Sequence, residues 1–440
     1  MNLKLKIKKK IDCKYIIKFM LIYVCIERGL ETIGFPHSLI FLLDIINLFL
    51  LLNLLASNEI VKMAKIRMIQ SHLLIFIIGI FVSAINGISL MLVLWAVRNL
   101  LRFYIFFGAC YCYLDIKDIK DIYSTFDVLY ILNVLVLIIQ FALGFRQDYL
   151  GGIFGGALGA NSYSNIFIII ICTYNMSRWL EKKISIKKLG FVILSSFMIA
   201  IMTETKILLF EIAIIVAVTI IINIVIAKKY KTLIKGGIIA VVVIVVIIIG
   251  AKEISRLYPS ISNADFLSIK GLKYILTRES GYTGAGDLNR LTAIKTINNL
   301  SDFKDNIITK IFGMGLGSAE YSSASKVLQS AFYSQYQDLH YYWFSHAWMY
   351  LECGYIGLIG YIIGFFFNIP YGFKIIRKYR KGRQDTTIVI TGVVLSFLSA
   401  LLYIYNQSLR LESAYLLYFA FASIFVEGKR RIYGKQGSVS

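Results

Sequence analysis

Charge and proline are what this sequence has least of. Only 16% of its 440 residues are Asp, Glu, Lys or Arg, against roughly 25% in an ordinary soluble domain. Three prolines are too few to build a proline-rich linker. Histidine occurs four times and cysteine six times. No cysteine falls in the one long polar stretch, which argues against an exported disulfide framework. Cys110 and Cys112 have no matching pair elsewhere to complete a zinc site, so the cysteines read as small core residues. No HExxH, GxSxG, Walker or DxD pattern occurs, and no metal or cofactor is expected.

Apolar residues are what is plentiful. They make up 58% of the chain and form runs such as GGIIAVVVIVVIIIGA at 236–251. No water-soluble fold can bury so much apolar surface, so the composition predicts an all-α polytopic membrane protein. A spanning helix needs about 20 residues to cross roughly 30 Å of hydrocarbon. Twelve spans are predicted, at 15–30, 38–57, 72–86, 88–114, 124–145, 161–177, 189–203, 207–227, 236–251, 341–373, 387–406 and 413–427. The basic start, MNLKLKIKKK, mimics a signal peptide, but no small-x-small cleavage site follows, so residues 15–30 read as an uncleaved first span.

The formal net charge is +22, from 47 basic and 25 acidic residues. In a soluble chain this points to nucleic acid; here it reports topology, because Lys and Arg collect on cytoplasmic loops. Twelve spans with both termini inside put KK at 182–183 and 187–188, KKYK at 228–231, RKYRKGR at 377–383 and KRR at 429–431 on one face. The opposite turns at 86–88 and 407–412 are nearly bare of Lys and Arg. Anionic lipid heads are a secondary partner for the basic face. Three regions follow: spans one to nine (1–251), a large extracytoplasmic loop (252–340), and spans ten to twelve with a tail (341–440). A polar loop of that length in a compact protein is usually functional. Short helices are expected in it around Asp287–Asn298 and Ala324–Tyr336.

Several polar residues sit where hydrocarbon is expected. Arg98 and Arg102 share one face of span four, and an arginine at mid-bilayer costs about 3 kcal/mol. Either they form a cationic wall for an anionic substrate, whose phosphate oxygens suit the guanidinium fork, or they pair with an acid such as Asp44 or Glu211. Lys206 follows the tight turn Thr203-Glu204-Thr205; it either snorkels or points into a cavity. Arg146 and Asn161 flank the glycine-rich GGIFGGALG at 151–159, which is either a flexible surface loop or a backbone that approaches a ligand closely. His340 and His346 lie at the end of the long loop. Each is either a proton acceptor or a belt residue beside Trp343 and Trp348.

Four segments resemble the Wzy polymerase and O-antigen ligase superfamily of bacterial surface-polysaccharide assembly. FGGALGANSYSN resembles its glycine-rich stretch ending in Asn before a span. ETKILLFEIA resembles its basic turn, although Lys206 stands where ligases commonly have Arg. NRLTAIKTIN followed by IFGMGLGS resembles the loop arginine and its downstream G-x-G. SHAWMYLECGYIGLIG resembles the histidine followed by Glu-x-Gly-x-x-Gly, with a shorter gap after His346 than usual. The architecture, with one large outer loop before the last three spans, is also similar.

The resemblance implies a GT-C-type, metal-independent glycosyltransferase at the outer face of the bacterial cytoplasmic membrane, joining undecaprenyl-diphosphate-linked oligosaccharide repeats. Arg290, Lys206 and His346 would carry catalysis. Arg98, Arg102, Arg146, Asn161, His340 and Glu352 would contact the lipid-linked donor and acceptor. A chain-length regulator and a flippase of the same pathway are the implied protein partners, with no nucleic acid. The alternatives are a ligase-like transferase and, from a different class, a lipid-linked oligosaccharide flippase or transporter. A transporter would be expected to show repeat symmetry, and none is evident.

Overall fold

The computed structural model describes residues 12–226, 286–322, 325–381 and 385–433, with scattered positions between 237 and 256. Span nine at 236–251 therefore lies largely outside the described residues, as does Ala324. Among the described residues the chain is helical without strands. The long helices are α1 (Cys13–Thr32), α2 (Phe41–Ala56), α3 (Arg67–Ile85), α4 (Leu90–Tyr113), α5 (Ile116–Ala142) and α6 (Ala160–Leu180). After them come α7 (Ile186–Met202), α8 (Lys206–Ile221), α9 (Ser345–Phe366), α10 (Asn368–Lys381), α11 (Thr387–Tyr405) and α12 (Ala414–Tyr433). The hydropathy segments within the described residues coincide with these helices. The expected span at 341–373 differs: it starts at Ser345 and divides at Phe367 into α9 and the basic, amphipathic α10.

Seven of the described helical segments are long and apolar enough to cross a membrane: His37–Ala56, Arg67–Ile85, Leu90–Tyr113, Ile116–Ala142, Lys206–Ile226, Ser345–Lys378 and Thr387–Tyr405. This is a multi-pass helical membrane protein. Burial separates inner from outer helices. Only 22% of the apolar window in His37–Ala56 is buried, against 78% in Thr387–Tyr405. Helix α12 packs on α4 and α11, and residues 414–424 are wholly covered. Helices α2, α3 and α5 leave Leu48, Leu52, Ile77, Phe81, Ile131 and Leu135 bare, which suits hydrocarbon chains as neighbours.

Local signals set several helix ends. Asp12 caps α1 through the Lys14 N–H. Asp115 and Asp118 form a reciprocal capping box at the start of α5, satisfying two amides that would otherwise lack partners. Ser185 caps α7 through the Lys188 N–H. At this same end, Asp127 meets Arg178 at 2.8 Å and Lys188 at 2.6 Å. Burial pushes Asp385 up, but hydrogen bonds from Lys183 and Thr387 outweigh it and hold the carboxyl at about 2.

At the other end, the part of the long loop that is described forms a small cap with its own core. Leu288, Ile297, Phe303, Phe332, Tyr341 and Phe344 pack together against the first turns of α9. Short helices lie at Ala293–Ile297 and Ala331–Tyr336, within the two stretches where they were expected, and a further one at Ile307–Phe312 was not anticipated.

The cap is anchored by a break in α9. Gly354 departs from helical geometry at φ 58° and ψ −156°. The carbonyls of Leu351 and Glu352 then accept from Met314 N–H at 2.9 Å and Gly315 N–H at 3.0 Å. The Glu352 carboxylate accepts from Gly317 N–H at 2.9 Å, and the Gly79 carbonyl on α3 accepts from Leu316 N–H at 3.2 Å. Glycine is required here twice over. Gly315 has φ +99°, and a Cβ would lie 2.5 Å from the Ser83 backbone nitrogen. Gly315→Ala should therefore destabilise the protein by at least the roughly 1–3 kcal/mol of backbone strain alone, read as a lower melting temperature in detergent. A melting curve superimposable on the parent would show that the segment does not dock in this way.

Candidate functional site

Two of the cavities at the end of the bundle that carries the cap lie on either side of the connection from Tyr405 to Glu412. The first has a volume of about 590 Å3 and is lined by Asp148, Asn161, Glu204, Lys206, Arg290 and Tyr405, among others. Apart from Glu204 and Lys206, which share one turn, each of these comes from a different structural source. Lys206 is the first residue of α8. It is set there by a turn in which Glu204 adopts φ 55°, and its ammonium lies 3.2 Å from the Glu204 carboxylate. Asn161 stands in the first turn of α6, just after left-handed Gly159, and donates to Asp148 at 2.7 Å. Arg290 arrives from the cap. Its Nε donates to the Tyr405 carbonyl at 2.7 Å, and its guanidinium lies 4.2 Å from the Tyr405 ring centroid. Beneath these, Asn165 donates to the buried Glu211 at 2.9 Å.

His346 does not line this cavity. It is buried in the first turn of α9, against the backbones of Arg290 and Tyr403. Its Nδ1 has no hydrogen-bond partner among the described residues. His340 lies elsewhere, stacked on Trp343 with centroids 4.1 Å apart and planes at 14°. Arg146 caps α5: it donates to the Phe141 and Phe145 carbonyls, each at 2.7 Å. Its neighbours Gln147 and Asp148 reach the cavity; Arg146 is not among the residues that line it. Glu352 holds the glycine segment rather than facing a cavity. The glycine-rich stretch divides: its first half packs against helices, while Ala157 and Leu158 are exposed. Residues 151–155 are buried, with Gly152 and Ile153 donating to Gln140 and Asn133 of α5. Its glycines permit close approach to α1, where a Cβ on Gly29 would lie 2.4 Å from the Ile153 carbonyl oxygen.

The second cavity, about 350 Å3, receives Arg98 and Arg102. Both are ion-paired. Arg98 meets Asp44, one of the two acids considered from the sequence. Arg102 meets Glu412 at 3.0 Å and the Arg410 carbonyl at 2.6 Å. Glu211, the other acid, pairs with neither. The network extends to residues that the sequence did not single out. Arg28 on α1 donates to the Tyr163 hydroxyl at 2.9 Å and lies 3.8 Å from Glu412. Tyr163 donates in turn to Glu412 at 3.1 Å. Arg410 pairs with Glu320 at 2.5 Å over the face of Trp348. Burial pushes Glu412 up, but Arg102 and Arg28 outweigh it and hold the carboxyl below its usual range. At Glu320 burial wins over Arg410, and the carboxyl is raised. The available signals were an Arg-Leu-Glu triplet in a turn otherwise poor in charge and the Glu-Arg pair at the end of the first span.

Among the described residues no cluster of three or more His, Cys, Asp or Glu could hold a metal ion. None of the six cysteines forms a disulfide. No family model, curated protein or solved structure matches the chain, so the fold defines its class as a multi-pass helical membrane protein with polar cavities at its capped end.

Glu412→Gln should strand Arg102, while Arg28 keeps Glu31 at 3.2 Å and Glu27 at 3.4 Å, at a cost of about 3–5 kcal/mol for a broken buried pair. Because the folded carboxyl titrates below its unfolded value, its contribution is present above that value and lost as pH falls through the folded one. The melting-temperature gap between parent and variant should therefore be wide at pH 7 and shrink below about pH 4.5. A gap independent of pH would remove the charge from the explanation.

Proposed function

We propose that the chain is a polysaccharide polymerase, joining undecaprenyl-diphosphate-linked oligosaccharide repeats at the outer face of a bacterial cytoplasmic membrane. In this reading twelve spans place both termini inside, the architecture is of GT-C type, and the cap faces outward. One observation carries the proposal: Lys206 and Arg290, 84 positions apart in sequence, line one cavity, and His346 packs against the Arg290 backbone.

The chemistry follows from that placement. The acceptor's sugar hydroxyl attacks C1 of the donor. The C1–O bond to diphosphate breaks, and negative charge grows on the leaving oxygen. Lys206 and Arg290 supply cationic donors where that charge develops, in a partly dry site where such interactions are strong. Glu204 and the Tyr405 ring hold these cations in place before the substrate arrives, so little reorganisation is needed. In this reading the proton acceptor is His346 if the hydroxyl reaches past the wall to it, and otherwise the Glu204 carboxylate, which lines the cavity. The apolar wall formed by Ile207, Phe210, Leu401 and Ile404 suits the first isoprene units of a carrier lipid. Energy comes from the activated donor, and neither nucleotide nor metal is called for. A chain-length regulator and a flippase are the partners this reading implies.

Purified full-length protein given lipid-linked repeats, without metal or nucleotide, should produce a glycan ladder and free undecaprenyl diphosphate. Transport of the substrate across liposomes without new glycosidic bonds would favour a flippase instead, and transfer to a different acceptor a ligase. Arg290→Ala should lower the rate by on the order of 10²–10³ with expression unchanged. His346→Gln should abolish the rise of rate with pH that a histidine base gives. If that profile survives in His346→Gln but is lost in Glu204→Gln, the cavity carboxylate is the base.

A further inference from the structure

We propose that the cap is partly embedded in the bilayer: the segment Ile307–Leu316 re-enters the leaflet at the capped end, and Ile307, Ile308 and Ile311 form a surface for its acyl chains. The inference needs only a multi-pass membrane protein and does not rest on glycan chemistry.

Helix α3 serves as a depth gauge. It ends at Ile85 and is followed by the turn 86–89. Ile77, Phe81 and Ile85 are all exposed, so the face that suits acyl chains continues to the end of the helix. The glycine segment descends alongside it. The Met314 carbonyl accepts from Asn86 Nδ2 at 2.9 Å, just beyond the helix end. The Leu316 carbonyl accepts from Ser83 Oγ at 2.8 Å, and the Leu316 N–H donates to the Gly79 carbonyl at 3.2 Å. Gly79 lies about 9 Å below Ile85 along the helix axis, at 1.5 Å per residue. The chain then climbs again: a Cβ on Gly317 would lie 2.7 Å from the Leu92 backbone, in the first turn of α4.

The short helix Ile307–Phe312 makes the same descent. At its near end, Ile307 and Ile308 line a groove together with Asn86, Gly87 and Ser89 of the turn. At its far end, a Cβ on Gly354 would collide with the Ile311 carbonyl. Gly354 in turn stands at the level of Gly79, where a Cβ would lie 3.0 Å from the sulfur of Cys353. Six residues of helix cover about 9 Å, which matches the drop from the turn to Gly79.

Polarity is distributed as this depth requires. Positions 307, 308 and 311 share one helix face, and Ile307 and Ile308 are 66% and 67% exposed. On one side this face meets α3 and on the other α9, whose Tyr355, Ile359 and Ile363 are exposed below the break. It is therefore continuous with the apolar faces of two spanning helices. The exposed polar residues Ser301, Asp302, Lys304, Asp305 and Asn306 all precede the short helix. Lys310, the one charge within it, turns its ammonium back to the Lys304 carbonyl at 2.6 Å, as a snorkelling lysine does. Non-helical backbone at membrane depth persists only where protein satisfies its polar groups. The bonds from Gly79, Ser83, Leu351 and Glu352 to residues 314–316 meet that condition.

The test uses the full-length protein in liposomes, with a nitroxide attached to Ile307→Cys, Ile308→Cys or Ile311→Cys. Collisions of the label with oxygen and with a water-soluble nickel chelate are compared. Lys304→Cys is the aqueous reference and Phe81→Cys the acyl-chain reference. The parent, treated alike, gives the background from the native cysteines, and melting curves verify that each variant folds. The oxygen-to-nickel ratio at 308 and 311 should shift to that at 81, and should rise from 307 to 311. Ratios at 308 and 311 equal to that at 304 would place the face in water and overturn the proposal. A face reached by neither reagent overturns it as well, in favour of a second copy of the chain. A polymer-forming protein with an aqueous label at 308 keeps the polymerase reading and loses this one; an inactive protein with a lipid-facing label does the reverse.

Discussion

A guanidinium carried into an apolar bundle must find a carboxylate, and in this protein one carboxylate serves several helices. Glu412, in the turn before α12, is held by Arg102 from α4, Arg28 from α1 and the Tyr163 hydroxyl from α6. Removing charges from water costs several kcal/mol per ion even after relaxation, so such a pair persists only with good geometry and further hydrogen bonds. Here that requirement fixes how α1, α4, α6 and α12 meet at one end. The positions of both cavities follow from it, because the Tyr405–Glu412 connection runs between them.

The second constraint is the backbone. A helix interrupted within a membrane leaves carbonyls that need partners. The interruption at Gly354 supplies its own remedy: the released Leu351 and Glu352 carbonyls are taken up by amides of the Met314–Gly315 segment. The break in the helix and the docking of the cap are therefore one event. Through the Leu288–Leu339 backbone bond and the shared core around Phe344, that docking brings the stretch containing Arg290 down to Tyr405.

Much of this was legible in the sequence. Apolar runs and their basic flanks located most of the described long helices within a few residues, because in hydrocarbon every backbone polar group must be bonded within the segment; α5 begins eight residues before its expected span, at Ile116, and α10 was expected as part of the span at 341–373. The pairing of Arg98 with Asp44 was among the possibilities, since both are charges stranded in apolar surroundings. The partners of Arg102 were not. Glu412 and Arg410 sit in a turn that reads as exposed, and only tertiary packing buries them. The first half of the glycine run, 151–155, packs against other helices: sequence shows that a backbone can be approached closely, not what approaches it. Arg146 and His340 were singled out by residue type alone. One proved to close a helix end and the other to stack on an indole. The helix at Ile307–Phe312 is too short for apolar periodicity to register.

The connection between α11 and α12 has one more implication. It is only eight residues long, Asn406 to Ser413, and is tied at both ends. Ser345 donates twice to the Asn406 carbonyl, while the far end is clamped by Arg102 and Tyr163 at Glu412. Its contour is therefore taut: it can accommodate exchange of side chains, whereas an inserted or deleted residue would shear one hollow out of register with the other.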